Sequence, residues 1–258
     1  MQLCLIVWLV MGPIEFNCPN FGQLKVIGDR LYESHHFVVQ SNIDSTTFDY
    51  LIFLDSRGIS AEFDSSIAAK LIAKIQQTGK TYLMVCRPLE LTIWATLIGF
   101  LAINQLNPAK IITNMGFVDF TPKKLSILSD ATQQVELSVG KDVVKPYFVE
   151  DFSLSSGETV ALFAMNYGKA YRNAIEAISV IHKMIIINTP LTDAGIAIER
   201  KRPASFFLAQ SESNNFNRSI NGAQVIDFQK FDELLTYDAV HYTPRGNEVI
   251  FDAVKGFI

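Results

Sequence analysis

The sequence predicts a three-layer α/β/α sandwich with a mainly parallel five-stranded sheet and a small N-terminal addition of strands. From residue 49 onward, short apolar runs alternate with segments whose apolar residues recur at helical spacing. That alternation is the pattern of a parallel sheet joined by crossover helices. The chain is 258 residues long, which fits one domain, or one domain with an extension. It is 49% hydrophobic and 19% charged, which suits a well-buried α/β core and excludes a disordered chain.

Residues 1–48 form the addition, packed on a core domain of residues 49–258. Gly12-Pro13, Cys18-Pro19-Asn20 and Gly28-Asp29 are turn signals between short apolar runs, which gives two to four short strands. Residues 1–11 are apolar but lack a basic leader and a small-residue cleavage site, and they are too short to span a bilayer. Residues 3–10 therefore read as a buried strand. His35 and His36 are adjacent on an alternating segment, so they point to opposite faces and do not easily bind one metal ion.

The core follows in order. Residues 49–54 are a strand. Residues 61–77 are a helix, with Ile67, Ala68, Leu71, Ile72 and Ile75 at helical spacing, ended at Gly79. Residues 81–86 are the second strand. Residues 92–106 are a strongly apolar helix that Asn107-Pro108 ends. The third strand begins at residue 110 and runs to 120. Residues 121–152, polar and irregular, read as a loop and helix over the sheet. Residues 157–183 read as one long helix or two, and 184–188 as the fourth strand. Residues 191–219 are a polar excursion, helical in part, whose Arg200-Lys201-Arg202 run reads as a solvated face. Residues 223–227 are the fifth strand and 246–258 the closing helix.

Charge and cysteine usage bound the function. The net charge is −4 and no long basic run exists, which argues against a nucleic-acid partner. The three cysteines, Cys4, Cys18 and Cys86, are widely spaced with no C-x-x-C, so neither a zinc site nor a disulfide framework is expected. A reducing, cytoplasmic compartment is the simpler reading. No cofactor, metal or membrane span is expected.

The chemistry-bearing stretch comes last. Asp238 and His241 lie three residues apart, just before a Thr243-Pro244-Arg245-Gly246 turn. A carboxylate so placed accepts from imidazole Nδ1–H, fixes the tautomer and leaves Nε2 free as a base. Taken alone, the pair also fits a turn-capping aspartate beside a surface histidine.

This stretch, with Val225-Ile226-Asp227-Phe228 upstream, resembles the last block of the SGNH/GDSL hydrolases, a flavodoxin-like α/β/α family. Tyr50-Leu51-Ile52-Phe53-Leu54-Asp55-Ser56 resembles the family's first block, with Asp55-Ser56 at the D-S pair and Leu54 where the first Gly usually stands. The resemblance implies Ser56 as nucleophile, His241 as base and Asp238 as its orienting partner. Gly28-Asp29-Arg30-Leu31 imitates the family's name motif, but Arg30 occupies the nucleophile position.

The two middle blocks depart from the family. The second, Cys86-Arg87-Pro88-Leu89-Glu90-Leu91-Thr92, has no Gly to donate a backbone N–H to the oxyanion. The third, Asn114-Met115-Gly116-Phe117-Val118-Asp119, keeps the Gly and Asp but has Val118 where the family has Asn. Asn114 is roughly 13 Å from Val118 along a strand, so it is not a simple substitute. Arg87, Thr92, Asn114 and Gly116 are the candidates for oxyanion or substrate contacts, with Arg87 foremost. The function implied is an ester hydrolase or O-acyl transferase acting on a small-molecule or acylated substrate. The alternative is a binding or assembly protein that keeps the fold without efficient chemistry.

Overall fold

The computed structural model describes residues 14–18, 22–26, 32–33, 38–59, 63–86, 93–121, 123–124, 130, 133, 147–153, 159–164, 168–192, 204–228, 235–238 and 240–258. β1 (Ile14–Cys18) and β2 (Gly22–Val26) form an antiparallel hairpin. β3 (Tyr32–Glu33) and β4 (Val38–Ser41) lead into β5 (Thr47–Leu54). Helix α1 (Ile67–Gln77), β6 (Tyr82–Cys86), α2 (Ile93–Ile103) and β7 (Asn107–Thr113) follow. A single turn, α3 (Phe117–Phe120), precedes β8 (Lys123–Lys124), β9 (Tyr147–Ser153) and β10 (Thr159–Ala164). The chain then runs through α4 (Gly168–Ile181), β11 (Met184–Ile187), α5 (Ala204–Arg218), β12 (Gln224–Ile226) and α6 (Pro244–Val254).

The main sheet has seven strands in the order β12-β11-β7-β5-β6-β4-β3. The five strands β12, β11, β7, β5 and β6 are mutually parallel. β4 pairs antiparallel with β6 and β3 antiparallel with β4, so strands from the N-terminal stretch extend the same sheet. The chain is thus a doubly wound α/β/α sandwich.

The layers follow from alternation along the strands. Leu51, Phe53, Leu83, Val85, Ile111, Met184 and Ile186 face one core, against α2 through Trp94, Leu97, Phe100 and Leu101, and against α4 and α5. Tyr50, Ile52, Leu54, Tyr82, Met84, Ile112, Ile185 and Ile187 face the other, against α1 and α6. Both faces of each strand are buried, which is why these strands read as continuous apolar runs. Helix α1 starts where Ser66 accepts from Ala69 N–H at 3.2 Å.

The sequence reading differs from the structure in three stretches. The third strand starts at Asn107 and stops at Thr113 instead of running from 110 to 120. Pro108 is tolerated near the start of a strand, where a missing donor costs little. Gly116, at φ 111°, then breaks the extended path into α3. Residues 159–164, read as helix, are β10, because a short apolar run with β-branched and aromatic residues has no period that separates the two states. β10 is the centre of a three-stranded antiparallel sheet, β8-β10-β9, in a region expected to be loop and helix. Residues 3–10, His35-His36, the Gly28–Leu31 imitation and Arg200-Lys201-Arg202 lie outside the described residues.

Among the described residues no helix is long and apolar enough to cross a membrane. No cluster of three His, Cys, Asp or Glu side chains able to hold a metal ion occurs among them either.

Candidate active site

β5 and β7 are neighbours, but their onward connections leave in opposite directions, to β6 on one side and to β11 on the other. In open α/β sheets the crevice at the carboxyl ends of such a strand pair is the usual ligand position. Four segments of the chain meet there.

The first is the turn after β5. Asp55 caps a 3₁₀ turn (Ser56–Gly58), and its Oδ1 accepts from Arg57 N–H at 2.9 Å. The Arg57 side chain curls back onto the same carboxylate, with Nε at 2.9 Å and Nη2 at 2.7 Å from Oδ2. Arg57 is buried, and the Asp55 carboxylate is buried with it. Burial works against the guanidinium charge, but Asp55 outweighs it and holds Arg57 protonated. Its ring contact is Phe117, 5.1 Å below the guanidinium carbon.

The second segment follows β7. Asn114 accepts from Asp55 N–H at 2.9 Å through Oδ1, and its Nδ2 donates to Asp55 Oδ1 at 3.0 Å. Arg57 Nη2 also donates to the Asn114 carbonyl. The ends of β5 and β7 are therefore tied by side chain and backbone together.

The third segment is the end of β11 with helix α5. Arg57 Nη1 donates to Thr189 Oγ1. Thr189 is in turn held at both backbone groups by Asn214, N–H to Oδ1 at 3.0 Å and Nδ2 to O at 2.8 Å. Asn217 donates to Met115 O and to Asn188 Oδ1, both at 2.9 Å, and its own Oδ1 is buried without a partner. Helix α5 thus turns a polar stripe inward: Gln210, Ser213, Asn214 and Asn217 are all buried. Asn214 and Asn217 saturate strand-end groups that an apolar helix would leave unpaired.

The fourth segment carries the Asp–His pair. Thr236 and Tyr242 form an isolated antiparallel bridge, flanked by Tyr237 N–H to His241 O at 3.1 Å and Thr243 N–H to Leu235 O at 2.8 Å. At the tip, Asp238 Oδ1 accepts from Val240 N–H at 3.0 Å and His241 N–H at 2.8 Å, while Oδ2 sits 3.0 Å from His241 Nδ1. Burial would raise the Asp238 pKa, but the hydrogen bonds from His241 and Val240 outweigh it and hold the carboxyl below its ordinary range. Nδ1–H donating to that carboxylate leaves Nε2 unencumbered. The Tyr237 ring stacks on the imidazole, 5.7 Å between centroids at 18°.

Two features seat this loop. Thr243 caps α6 by accepting from Gly246 N–H at 3.0 Å, with Pro244 in the first turn. A Cβ on residue 246 would lie 2.1 Å from the Leu235 carbonyl oxygen, so the loop closes on α6 only over a glycine. Tyr242, beside His241, drops its ring into the core shared with α1 and α6. Its hydroxyl faces Asn114 and the Asp55–Arg57 pair but lies outside hydrogen-bonding geometry, and burial pushes its pKa up. The histidine loop is thereby anchored against the ends of β5 and β7, next to the Ser56 turn.

Of the residues the sequence singles out, Asp238 and His241 are hydrogen-bonded to each other. Ser56 opens the turn after β5, half-buried, and its hydroxyl has no hydrogen bond to His241 or to any other described residue. Asn114 is committed to Asp55. Gly116 lies against Asn217, whose Oδ1 would be 3.0 Å from a Cβ there. Arg87 and Thr92 lie outside the described residues. Arg57, Thr189, Asn214, Asn217 and Tyr242 are site residues that the sequence did not single out. Arginine and asparagine are mostly exposed, and no local spacing marks these as buried partners.

The architecture and this rim define a doubly wound α/β protein with an Asp–His dyad beside the ends of its central strands. No family model and no curated protein matches the chain. Among solved structures it is similar to the acetyl xylan esterase AlAXEase, at 15% identity over 81% of this chain and 99% of that one, with a TM-score of 0.46. It is also similar to a GDSL-like lipase from Parabacteroides merdae, at 12% identity over 80% and 94% of the two chains, TM-score 0.43. A lipolytic protein of the G-D-S-L family from Desulfitobacterium hafniense gives 11% identity over 83% and 100%, TM-score 0.42. Likenesses at these scores carry no activity across to this chain.

Proposed function

We propose that the protein is a serine-dependent ester hydrolase, or an O-acyl transferase working with the same residues. The observation that supports the reading is the Asp238–His241 pair, bonded at 3.0 Å, whose neighbour Tyr242 is buried near the Asp55–Arg57 pair that flanks Ser56. Ser56 Oγ attacks the acyl carbon while His241 Nε2 takes the hydroxyl proton. The tetrahedral adduct collapses, the bond to the alcohol oxygen breaks, and His241 returns the proton to the departing alkoxide. Water, or an acceptor hydroxyl in a transferase, then attacks the acyl-enzyme with His241 again as base, which frees Ser56. Asp238 keeps the imidazole in the tautomer that this sequence of transfers needs. The Ser56 backbone N–H serves as an oxyanion donor. Arg87 is the side chain proposed to supplement it in place of the family's Gly and Asn.

A second reading, a binding or assembly protein on the same fold, draws on two observations. The Ser56 hydroxyl has no hydrogen bond to the imidazole, and the Asn114 amide is engaged elsewhere. Hydrolysis of p-nitrophenyl acetate separates the two. On the enzyme reading Ser56→Ala and His241→Ala each lose most of the turnover, by about 10⁴-fold or more, and the double variant is little worse than either. Arg87→Ala lowers kcat more than it raises KM. Full turnover in Ser56→Ala, with every ester the parent cleaves, contradicts the proposal.

A further inference from the structure

We infer that Arg57 is a positioning residue for the nucleophile: its buried guanidinium pins the Ser56 turn to the ends of β7 and β11 and so fixes the direction of the Ser56 hydroxyl. The inference rests on the proposed role of Ser56 and deepens it.

The residues on either side of Ser56 close a ring around it. Asp55 Oδ1 accepts from Arg57 N–H at 2.9 Å, and the Arg57 fork grips the same carboxylate through Nε at 2.9 Å and Nη2 at 2.7 Å. Ser56 is the one residue spanned by that ring, while its own hydroxyl is unengaged. The ring is then fastened outward. Asp55 N–H donates to Asn114 Oδ1 at 2.9 Å, and Arg57 donates to the Asn114 carbonyl and to Thr189 Oγ1. Thr189 cannot yield, because Asn214 of α5 holds both its N–H and its carbonyl.

A purely structural role does not require this arrangement. A buried ion pair is often replaced by apolar residues of similar volume with no loss of stability. What an apolar pair does not supply is a planar fork with several donors in fixed directions. Lysine carries the charge but not the fork. Reactive geometry is sensitive at this level, since a displacement of about 1 Å costs on the order of 10²-fold in rate.

The test compares the parent, Arg57→Lys and the charge-free pair Asp55→Asn/Arg57→Met. Steady-state kinetics on p-nitrophenyl acetate, thermal melting and amide hydrogen exchange are read on each. The charge-free pair stays folded, with a cooperative melt that leaves its kinetics readable. Both variants nevertheless lose kcat on the order of 10²-fold while KM changes by less than about 3-fold, as expected for lost positioning. The Asp55 and Arg57 amides exchange faster in Arg57→Lys than in the parent. The inference is overturned if the charge-free pair keeps parental kcat, or if Arg57→Lys keeps both kcat and the slow exchange of those amides. If the folded parent has no esterase activity, the proposed function fails. The exchange comparison then still decides whether the fork fixes the turn.

Discussion

The Ser56 turn is tied by side-chain hydrogen bonds that cross the chain, whereas the hydrogen bonds described at the Asp238–His241 tip join neighbours in one short hairpin. Arg57 reaches Asn114 and Thr189, 57 and 132 residues away. Asp238 accepts from Val240 and His241, two and three residues on. The first side is enclosed: the Arg57 and Asp55 side chains are each 1% exposed. The second is open: the His241 side chain is 29% exposed. The difference teaches where this fold concentrates its rigidity. The nucleophile side is built into the sheet, and the base side is laid over it, held by Tyr242 and by the cap of α6.

The contrast can be broken at four points, taken from the largest expected effect to the smallest. Arg57→Met alone leaves the Asp55 carboxylate buried without its partner. It should destabilise the fold by about 3–5 kcal/mol, read by denaturant unfolding. A loss below about 1 kcal/mol would mean that the pair does not hold the strand ends together. Gly246→Ala forces a methyl group against the Leu235 carbonyl, 2.1 Å away. The loop must shift, at about 1–3 kcal/mol, and His241 moves with it, so esterase turnover should fall while the β5–β7 junction keeps its amide protection.

Asp238→Asn comes third. It should lower turnover by less than Ser56→Ala or His241→Ala, and its effect on stability should depend on pH. The folded-state pKa of Asp238 is depressed, so its stabilising contribution is fully present above the ordinary value of 3.8 and is lost as the pH falls through the lowered folded value. The stability gap between parent and Asp238→Asn should therefore be widest near neutrality and close in acid. A gap that does not change with pH would contradict the hydrogen-bonding pattern at the loop tip. The smallest effect is expected from Tyr242→Phe. The ring packs in the core, but the hydroxyl is buried without a hydrogen bond. Removing it should change stability by less than about 1 kcal/mol, because anchoring is the work of the ring.

The same contrast explains what could be read from the sequence. β5, β6 and β11 were legible because a strand buried on both faces is a continuous apolar run between turn signals, as in residues 50–54 and 82–86. The Asp–His pair was legible because its contact is local and its spacing is the contact. Arg57 stood in plain view beside Ser56, yet nothing in the neighbouring residues says that its partners lie on β7 and β11. Helix α5 carries a mixed sequence whose polar stripe faces inward, the reverse of the usual amphipathic expectation. β10 was read as helix because a short, mostly apolar run of six residues fits either period, and its strand partners are nonlocal. For Arg57, helix α5 and β10 the deciding contacts are long-range.

The central claim is that Ser56 is a nucleophile activated by His241. An alkyl fluorophosphonate tests it without knowledge of the natural ester, because the reagent phosphonylates an activated serine hydroxyl and releases fluoride. Intact-mass and peptide analysis of the folded parent should find one adduct, on Ser56. Ser56→Ala should give none, and His241→Ala should react far more slowly. A folded parent that takes up no label at Ser56, or one whose Ser56 labelling is unchanged in His241→Ala, would contradict the account.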